Sequence, residues 1–380
     1  MSQFKNVITV REGDMDGNRM VILLKTKQGR RINAIGVPQD NNSRTGPTWA
    51  YLFENDGLTL IDAGATGSYQ YLADGVLAAG YQLRDIERVI VTHGHQDHDG
   101  AAGQLGQEAD AQIWAHEIYA PLLQYNPWDI QRNPSSPLQR ELQRVVSGDR
   151  ERNGAEAARQ TSGYAKRNKR YVETRRRFHV HRSVSQDETA GDLTFIHAPG
   201  HAPDELCITM DKLVFSGDHV LPEITPHPTT KTRFSPEVRK HIPQHLHCED
   251  KSYGLLAYLR SLRLITNMDD DIAVLPAHRL YSKGKFNFEN TARAEEILQH
   301  HVVRLGRVLH RMGNEPASLE HITRGVFARR KLAGGNLYMA LSEIVAHIEL
   351  LEDAGDLAMD EHLRLRATGS EHFREVVAGL

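Results

Sequence analysis

Two cysteines in 380 residues, Cys207 and Cys248, exclude a disulfide framework, and with no CxxC pair they exclude a zinc-knuckle arrangement as well. No apolar run approaches the ~18 residues of a membrane-spanning helix. Met1–Val10 has no apolar stretch resembling a secretory leader, so a reduced, cytoplasmic setting is expected. Aromatic residues are sparse at 7%, and the formal charge is only −3, so bulk charge gives no reason to expect a polyanionic partner. Apolar residues at 39% and charged residues at 25% are those of an ordinary globular protein, and the length suggests one large domain followed by a smaller one.

What the chain does have is histidine, 21 residues of it, in a telling order. Short strands are expected at Val21–Lys25, Ile32–Val37, Thr48–Phe53 and Leu58–Ile61, the last running into Asp62-Ala63-Gly64. A helix over Tyr69–Ala79 follows, then a buried strand Arg88–Thr92 with Val89, Ile90 and Val91 in succession. A helix from near His98 to Glu108 and a strand Gln112–Ala115 come next. Residues 139–182 lack strand runs and read as a helical insertion, whose limits extend to about 120–182 when the preceding loop is included. Strands resume at Leu193–His197, Leu206–Met210 and Leu213–Ser216. A helix Tyr253–Ile265 and a strand Ile272–Leu275 complete a first domain, 1–286. Beyond it, Glu295–Arg311, Leu319–Phe327 and Leu337–Ala354 have helical spacing and end in a strand-like tail, which suggests a winged-helix-like domain over 287–380.

The chemistry concentrates in Thr92-His93-Gly94-His95-Gln96-Asp97-His98-Asp99-Gly100, directly after a buried strand. Strand ends that feed loops are where α/β folds place reactive groups. Imidazole nitrogen with carboxylate oxygen suits zinc, iron or manganese. His93 and His95, two apart in a tight turn, can aim at one ion, and Asp97 with His98 at a second. Three later residues, His201 in Ala198-Pro199-Gly200-His201, Asp218 in Phe215-Ser216-Gly217-Asp218, and His278 in Leu275-Pro276-Ala277-His278, each follow an expected strand.

On these motifs the chain resembles the metallo-β-lactamase superfamily over about residues 20–285. The resemblance implies an α/β fold, an αββα sandwich, with a two-metal site at one edge. His93, His95 and His201 would hold the first ion, and Asp97, His98 and His278 the second. Asp218 would bridge them, Asp97 and Asp218 would take part in catalysis, and Asp62 would orient a metal-binding histidine. Two divalent ions, zinc first and iron or manganese as alternatives, would lower the pKa of water toward ~7 and provide a nucleophile for a carbonyl carbon or phosphorus. Many relatives have Gly-His-Gly where this chain has Ala277-His278-Arg279, so Arg279 is a candidate substrate contact.

Residues 139–182 carry 13 Lys/Arg against 5 Asp/Glu, which leaves the rest of the chain at −11. Lys166-Arg167-Asn168-Lys169-Arg170 and Arg175-Arg176-Arg177, interleaved with Tyr164, Tyr171 and Phe178, suggest a lid that grips an anionic substrate, either the phosphates of coenzyme A or a nucleic-acid backbone, with Arg175 and Arg176 as substrate contacts. A helical insertion and an appended helical tail resemble the glyoxalase-II-like branch of the superfamily. The expected activity is hydrolysis of a small ester, thioester such as acyl-CoA, or lactone. A nuclease acting on single-stranded RNA or DNA is the alternative, and an iron-dependent oxygenase or a DNA-binding regulator the more distant ones. The tail holds Glu295, Glu296, Glu320, Glu343, Glu349, Glu352 and Asp353 and is not strongly basic, which argues against nucleic acid there. The long insertion and helical tail leave room for a homodimer.

Overall fold

The computed structural model describes residues 3–39, 43, 45–125, 136–176, 179–313, 315–329, 332 and 336–380, with the helical backbone alone for 150–167. Strands β1 (Phe4–Arg11), β2 (Val21–Thr26), β3 (Arg31–Val37), β4 (Thr48–Glu54), β5 (Leu58–Ile61), β6 (Arg88–Ile90), β7 (Gln112–His116) and β8 (Arg182–Val184) lie side by side in sequence order. The first five pair antiparallel through hairpins and the last three add in parallel, with α1 (Tyr69–Ala78) and α2 (Ala102–Glu108) as crossovers. A second sheet contains β9 (Thr189–Ala190), β10 (Leu193–His197), β11 (Leu206–Met210), β12 (Leu213–Gly217) and β13 (Ala273–Pro276). A small hairpin of β14 (Tyr281–Ser282) and β15 (Lys285–Phe286) stands apart, and β16 (Glu289–Asn290) closes the second sheet beside β13.

Period-two alternation decides which way each strand faces. Trp49, Tyr51 and Phe53 of β4 meet Phe195, Ile208 and Phe215 between the sheets, while Ala50 and Leu52 turn outward against α1 and α2. On the second sheet, Ile196, Cys207, Val214 and Val274 face outward, onto the helix Leu255–Thr266. The result is the expected αββα sandwich. Cys207 is a core thiol, as its place in a strand implies.

Among the described residues the insertion is dominated by a helix of 39 residues, α3 (Pro137–Arg175). Ser136 caps it, its side chain accepting from Gln139 N, and Pro137 occupies the first turn, where no amide hydrogen is needed. Helix α4 (Leu255–Thr266) covers the second sheet. The tail contributes α5 (Ala292–Met312), α6 (Leu319–Val326), α7 (Asn336–Asp353), the hairpin β17 (Leu357–Met359) and β18 (Leu365–Ala367), and α8 (Phe373–Ala378). Cys207 and Val274, on the outer face of the second sheet, belong to the same apolar cluster as Leu298, Leu305, Leu341 and Ile344 of the tail. The division drawn at residue 286 is therefore not a boundary of packing: the tail shares one core with the outer face of the second sheet. The sequence reading missed β1, β8 and the two-residue strands β9, β14, β15 and β16. β1 is an edge strand exposed along all but its first residue, and β8 is three residues long.

Candidate metal centre

Every candidate ligand lies just beyond the C-terminal end of a strand, at one edge of the sandwich. His93 to His98 follow β6, His201 follows β10, Asp218 follows β12 and His278 follows β13. Tight backbone contacts hold these turns. Gly217 adopts φ +51, and a Cβ there would lie 2.3 Å from Glu205 Oε1. At Gly200, φ +136, a Cβ would meet Tyr258 Cα at 2.3 Å.

Three nitrogens face a common point. His95 Nδ1 is 3.0 Å from His93 Nε2 and 3.1 Å from His201 Nε2. Nitrogens bound at ~2.0–2.1 Å around a tetrahedral ion stand about 3.3 Å apart, close to what is seen. A second group comprises Asp97, His98 and His278. His278 Nε2 lies 3.3 Å from Asp97 Oδ2, and His98 Nε2 3.9 Å from Asp97 Oδ1. Asp218 stands between the two groups. Its Oδ2 is 3.5 Å from His201 Nε2, and its Oδ1 is 3.6 and 3.4 Å from the Nε2 atoms of His98 and His278.

The opposite ring nitrogens are tied down. His98 Nδ1 donates to Asp62 Oδ2 at 2.8 Å, His201 Nδ1 to the His227 carbonyl at 2.9 Å, and His278 Nδ1 to the Pro47 carbonyl at 2.9 Å. His93 Nδ1 lies 3.1 Å from Thr92 Oγ1 and 3.3 Å from Glu205 Oε2. Each of these four rings therefore presents Nε2 inward, the arrangement in which partners fix the tautomer of a metal ligand. Asp62 also accepts from Thr92 N and Thr92 Oγ1, so the residue flagged as an orienting group holds both the loop and the ring.

Three of the inward atoms make no hydrogen bond. His98 Nε2, His278 Nε2 and Asp218 Oδ1 are buried without a hydrogen bond. Each such orphan costs roughly 1–3 kcal/mol, which a bound cation would offset. Electrostatics point the same way. Burial lowers His98, yet the carboxylates of Asp218, Asp62 and Asp97 outweigh it and raise it well above its ordinary value. Asp97 and Asp218 are held below the usual range, against the effect of burial, by His98 and His278. Burial pushes His95 down to about 3, which keeps it in the neutral form a ligand requires. The residues present fit a pair of divalent cations.

The Metallo-beta-lactamase superfamily matches residues 43–278. The chain belongs to that superfamily and is a metal-dependent hydrolase. It is 25% identical over 334 residues to the probable metallo-hydrolase YqjP of Bacillus subtilis, covering 84% of this chain and 92% of that one. It is 27% identical over 177 residues to the uncharacterized protein YobT of the same organism, covering 45% of this chain and 61% of YobT. A crystal structure of a metallo-beta-lactamase family protein from Thermus thermophilus shares the fold with TM-score 0.57 and 19% identity, covering 88% of this chain and 98% of that chain.

The candidate site has supports that the sequence reading missed. Glu205 is fully buried, pushed up first by burial and then by Asp218, and its Oε1 accepts from Asp218 N at 3.0 Å. Gln39 Nε2 donates to Asp97 Oδ2 at 3.1 Å. Tyr171, on α3, donates to the Gly94 carbonyl at 2.9 Å, and Asp204 accepts from Gly94 N at 2.8 Å.

Arg175 corrects an expectation. It is only 2% exposed, with Nε 3.1 Å from Asp99 Oδ2, and it sits between the rings of Tyr119 and Tyr171. A guanidinium enclosed in this way braces the histidine loop from behind and does not reach for substrate. Arg176, at the C-cap of α3, is exposed. Arg279, at φ 65, turns toward the protein's own Glu223 with Nη1 at 3.9 Å. Tyr164, Lys166, Arg167, Arg177 and Phe178 lie outside the described side chains.

Proposed function

We propose that the protein uses two divalent ions, zinc first and iron or manganese as alternatives, to hydrolyse a small ester, thioester or lactone, acyl-CoA thioesters included. His93, His95 and His201 would hold one ion and Asp97, His98 and His278 the other, with Asp218 shared. The observation that carries this reading is Asp218, whose two oxygens face the two clusters separately. Bound ions supply Lewis acidity and lower the pKa of water toward ~7.

The chain's own residues do the rest. The tied imidazoles hold their ligand nitrogens in place without reorganisation. The Asp97 side chain, at 30% exposure, opens to solvent more than Asp218 at 11%. Fixed by Gln39, it is placed to accept the proton of the attacking water and return it to the leaving group. Lys169, Arg170 and Arg176 are exposed on the last turns of α3, next to Tyr171 and Arg175, which touch the histidine loop. These cations support an anionic substrate. A single-stranded nucleic acid is the second reading on the same cations, and it requires strongly salt-dependent binding.

The tail, in the proposed winged-helix-like role, shapes the site and does not read DNA, because α7 is buried along most of its length. The cytoplasm is the proposed setting; among the described residues no helix is long and apolar enough to cross a membrane. A homodimer is compatible with this reading and is checked by sedimentation. The test of function pairs a panel of acyl-CoA thioesters, lactones, a β-lactam and short RNA with His95→Ala. Turnover of one carbonyl class that the variant abolishes is the expected result. Full activity in a folded His95→Ala removes the metal site from catalysis.

A further inference from the structure

His201 differs from the other ligands in what stands behind it. The Nδ1 of His201 donates to the carbonyl of His227, 26 residues downstream in an irregular segment. That segment is fastened on both sides. Toward the metal loop, Thr229 N and Thr229 Oγ1 donate to the Gly200 carbonyl at 2.7 and 2.9 Å. Toward the tail, His227 Nε2 lies 3.2 Å from Ser342 Oγ, and Lys231 N donates to Glu349 Oε2 at 2.7 Å. Gln139, in the first turn of the long insertion α3, completes the clamp, bonding Glu349 Oε1 at 3.1 Å and the Lys231 carbonyl at 2.6 Å.

The geometry is matched. Ser342 and Glu349 are seven residues apart on α7, hence on one face and about 10 Å apart along the axis. The four-residue step from 227 to 231 spans at most ~13 Å when extended, so the strap can lie along that face with both ends held. Ser342 is 9% exposed and Glu349 3%, so neither bond competes strongly with solvent.

We propose that helix α7 is part of the first metal site: through the strap 227–231 it fixes the acceptor that orients His201, which makes Ser342, Glu349 and His227 positioning residues for that ligand. The inference rests on the two-metal reading. It explains why the tail shares a core with the catalytic sandwich, since an independently hinged tail could not hold a carbonyl at a set distance. It also makes the two metals unequal. His98 is oriented by Asp62, and His278 by Pro47, without any contribution from the tail.

The test measures zinc dissociation from both sites of the full chain by competition with a chromophoric chelator, alongside cobalt(II) absorption. Loss of an orienting partner lowers metal affinity about 10–100-fold, and these residues act one bond further back. Ser342→Ala is therefore expected to weaken the first site by up to about tenfold and to leave the second unchanged. Ser342→Thr, which keeps the hydroxyl, restores wild-type affinity. His227→Phe keeps the carbonyl but cuts the same link from the other side, and is expected to reproduce the loss. A wild-type chain with two ions whose affinities neither Ser342→Ala nor His227→Phe changes overturns the proposal alone. A wild-type chain that takes up no ion at the His93 cluster overturns the two-metal reading, and the proposal with it.

Discussion

Replacing Asp62 by asparagine changes what its Oδ2 position offers to His98 and to Thr92 Oγ1, and the hydroxyl can turn to accept where it now donates. Asp62 sits at φ 59, a conformation asparagine also tolerates, so the backbone is unperturbed. An asparagine oxygen can still accept from Thr92 N, now 2.8 Å from Oδ1. The other position changes sign. Oδ2 accepts from His98 Nδ1 at 2.8 Å, and an amide NH2 there offers a donor to a donor. His98 answers by moving its proton to Nε2, the atom that faces Asp218 and His278. A protonated Nε2 cannot bind an ion. The expected loss is about 10–100-fold in affinity for the second ion, or roughly 1.4–2.7 kcal/mol, with the first site little changed. Chelator competition on Asp62→Asn measures it, and circular dichroism confirms the fold. Unchanged binding of both ions by a folded Asp62→Asn refutes the claim that Asp62 sets the tautomer of His98.

Other consequences are as direct. Arg175→Met leaves the buried Asp99 and Asp204 without their cation, and breaking such a group costs about 3–5 kcal/mol. Burial already raises both carboxyls to about 6 despite Arg175, so the loss, read by urea denaturation, is expected to be larger at pH 8 than at pH 5. Glu349 is raised by burial to about 8, so the folded chain binds its proton more tightly than the unfolded chain does. The resulting stabilisation is full below about pH 4.5 and is lost as pH rises toward 8. Glu349→Gln should flatten that part of the stability profile. Gly217→Ala places a methyl 2.3 Å from Glu205 Oε1 at φ +51, and is expected to cost at least ~1–2 kcal/mol in melting experiments. His95→Ala is expected to abolish hydrolysis and lose the first ion while keeping the fold.

The seven candidate ligands were legible because each lies just past an apolar strand, with His201, Asp218 and His278 each after a turn that holds glycine or proline. The αββα layering came with the family resemblance that those motifs carry. The supporting residues had no such signal. Glu205 is one acidic residue beside another ahead of a strand, and nothing local says it is buried against Asp218. Tyr171 and Arg175 lie more than seventy residues from the loop they brace, in a segment whose composition reads as a solvated basic helix. Composition correctly predicted the helix α3. It could not distinguish the exposed cations Lys169, Arg170 and Arg176 from Arg175, because burial at that position is set by Asp99 and Tyr119, on other elements. The tail's helices were visible from spacing, but not their merger with the core outside the second sheet, since an apolar helical face does not name its partner.

Metal content of protein purified without added metal, measured by mass spectrometry beside a hydrolysis assay, tests the central claim most directly. Two divalent ions per chain, falling in the Asp218→Ala variant together with hydrolysis, is the predicted result. One iron per chain with no hydrolysis of any carbonyl substrate contradicts it and directs the next assay to oxygen consumption.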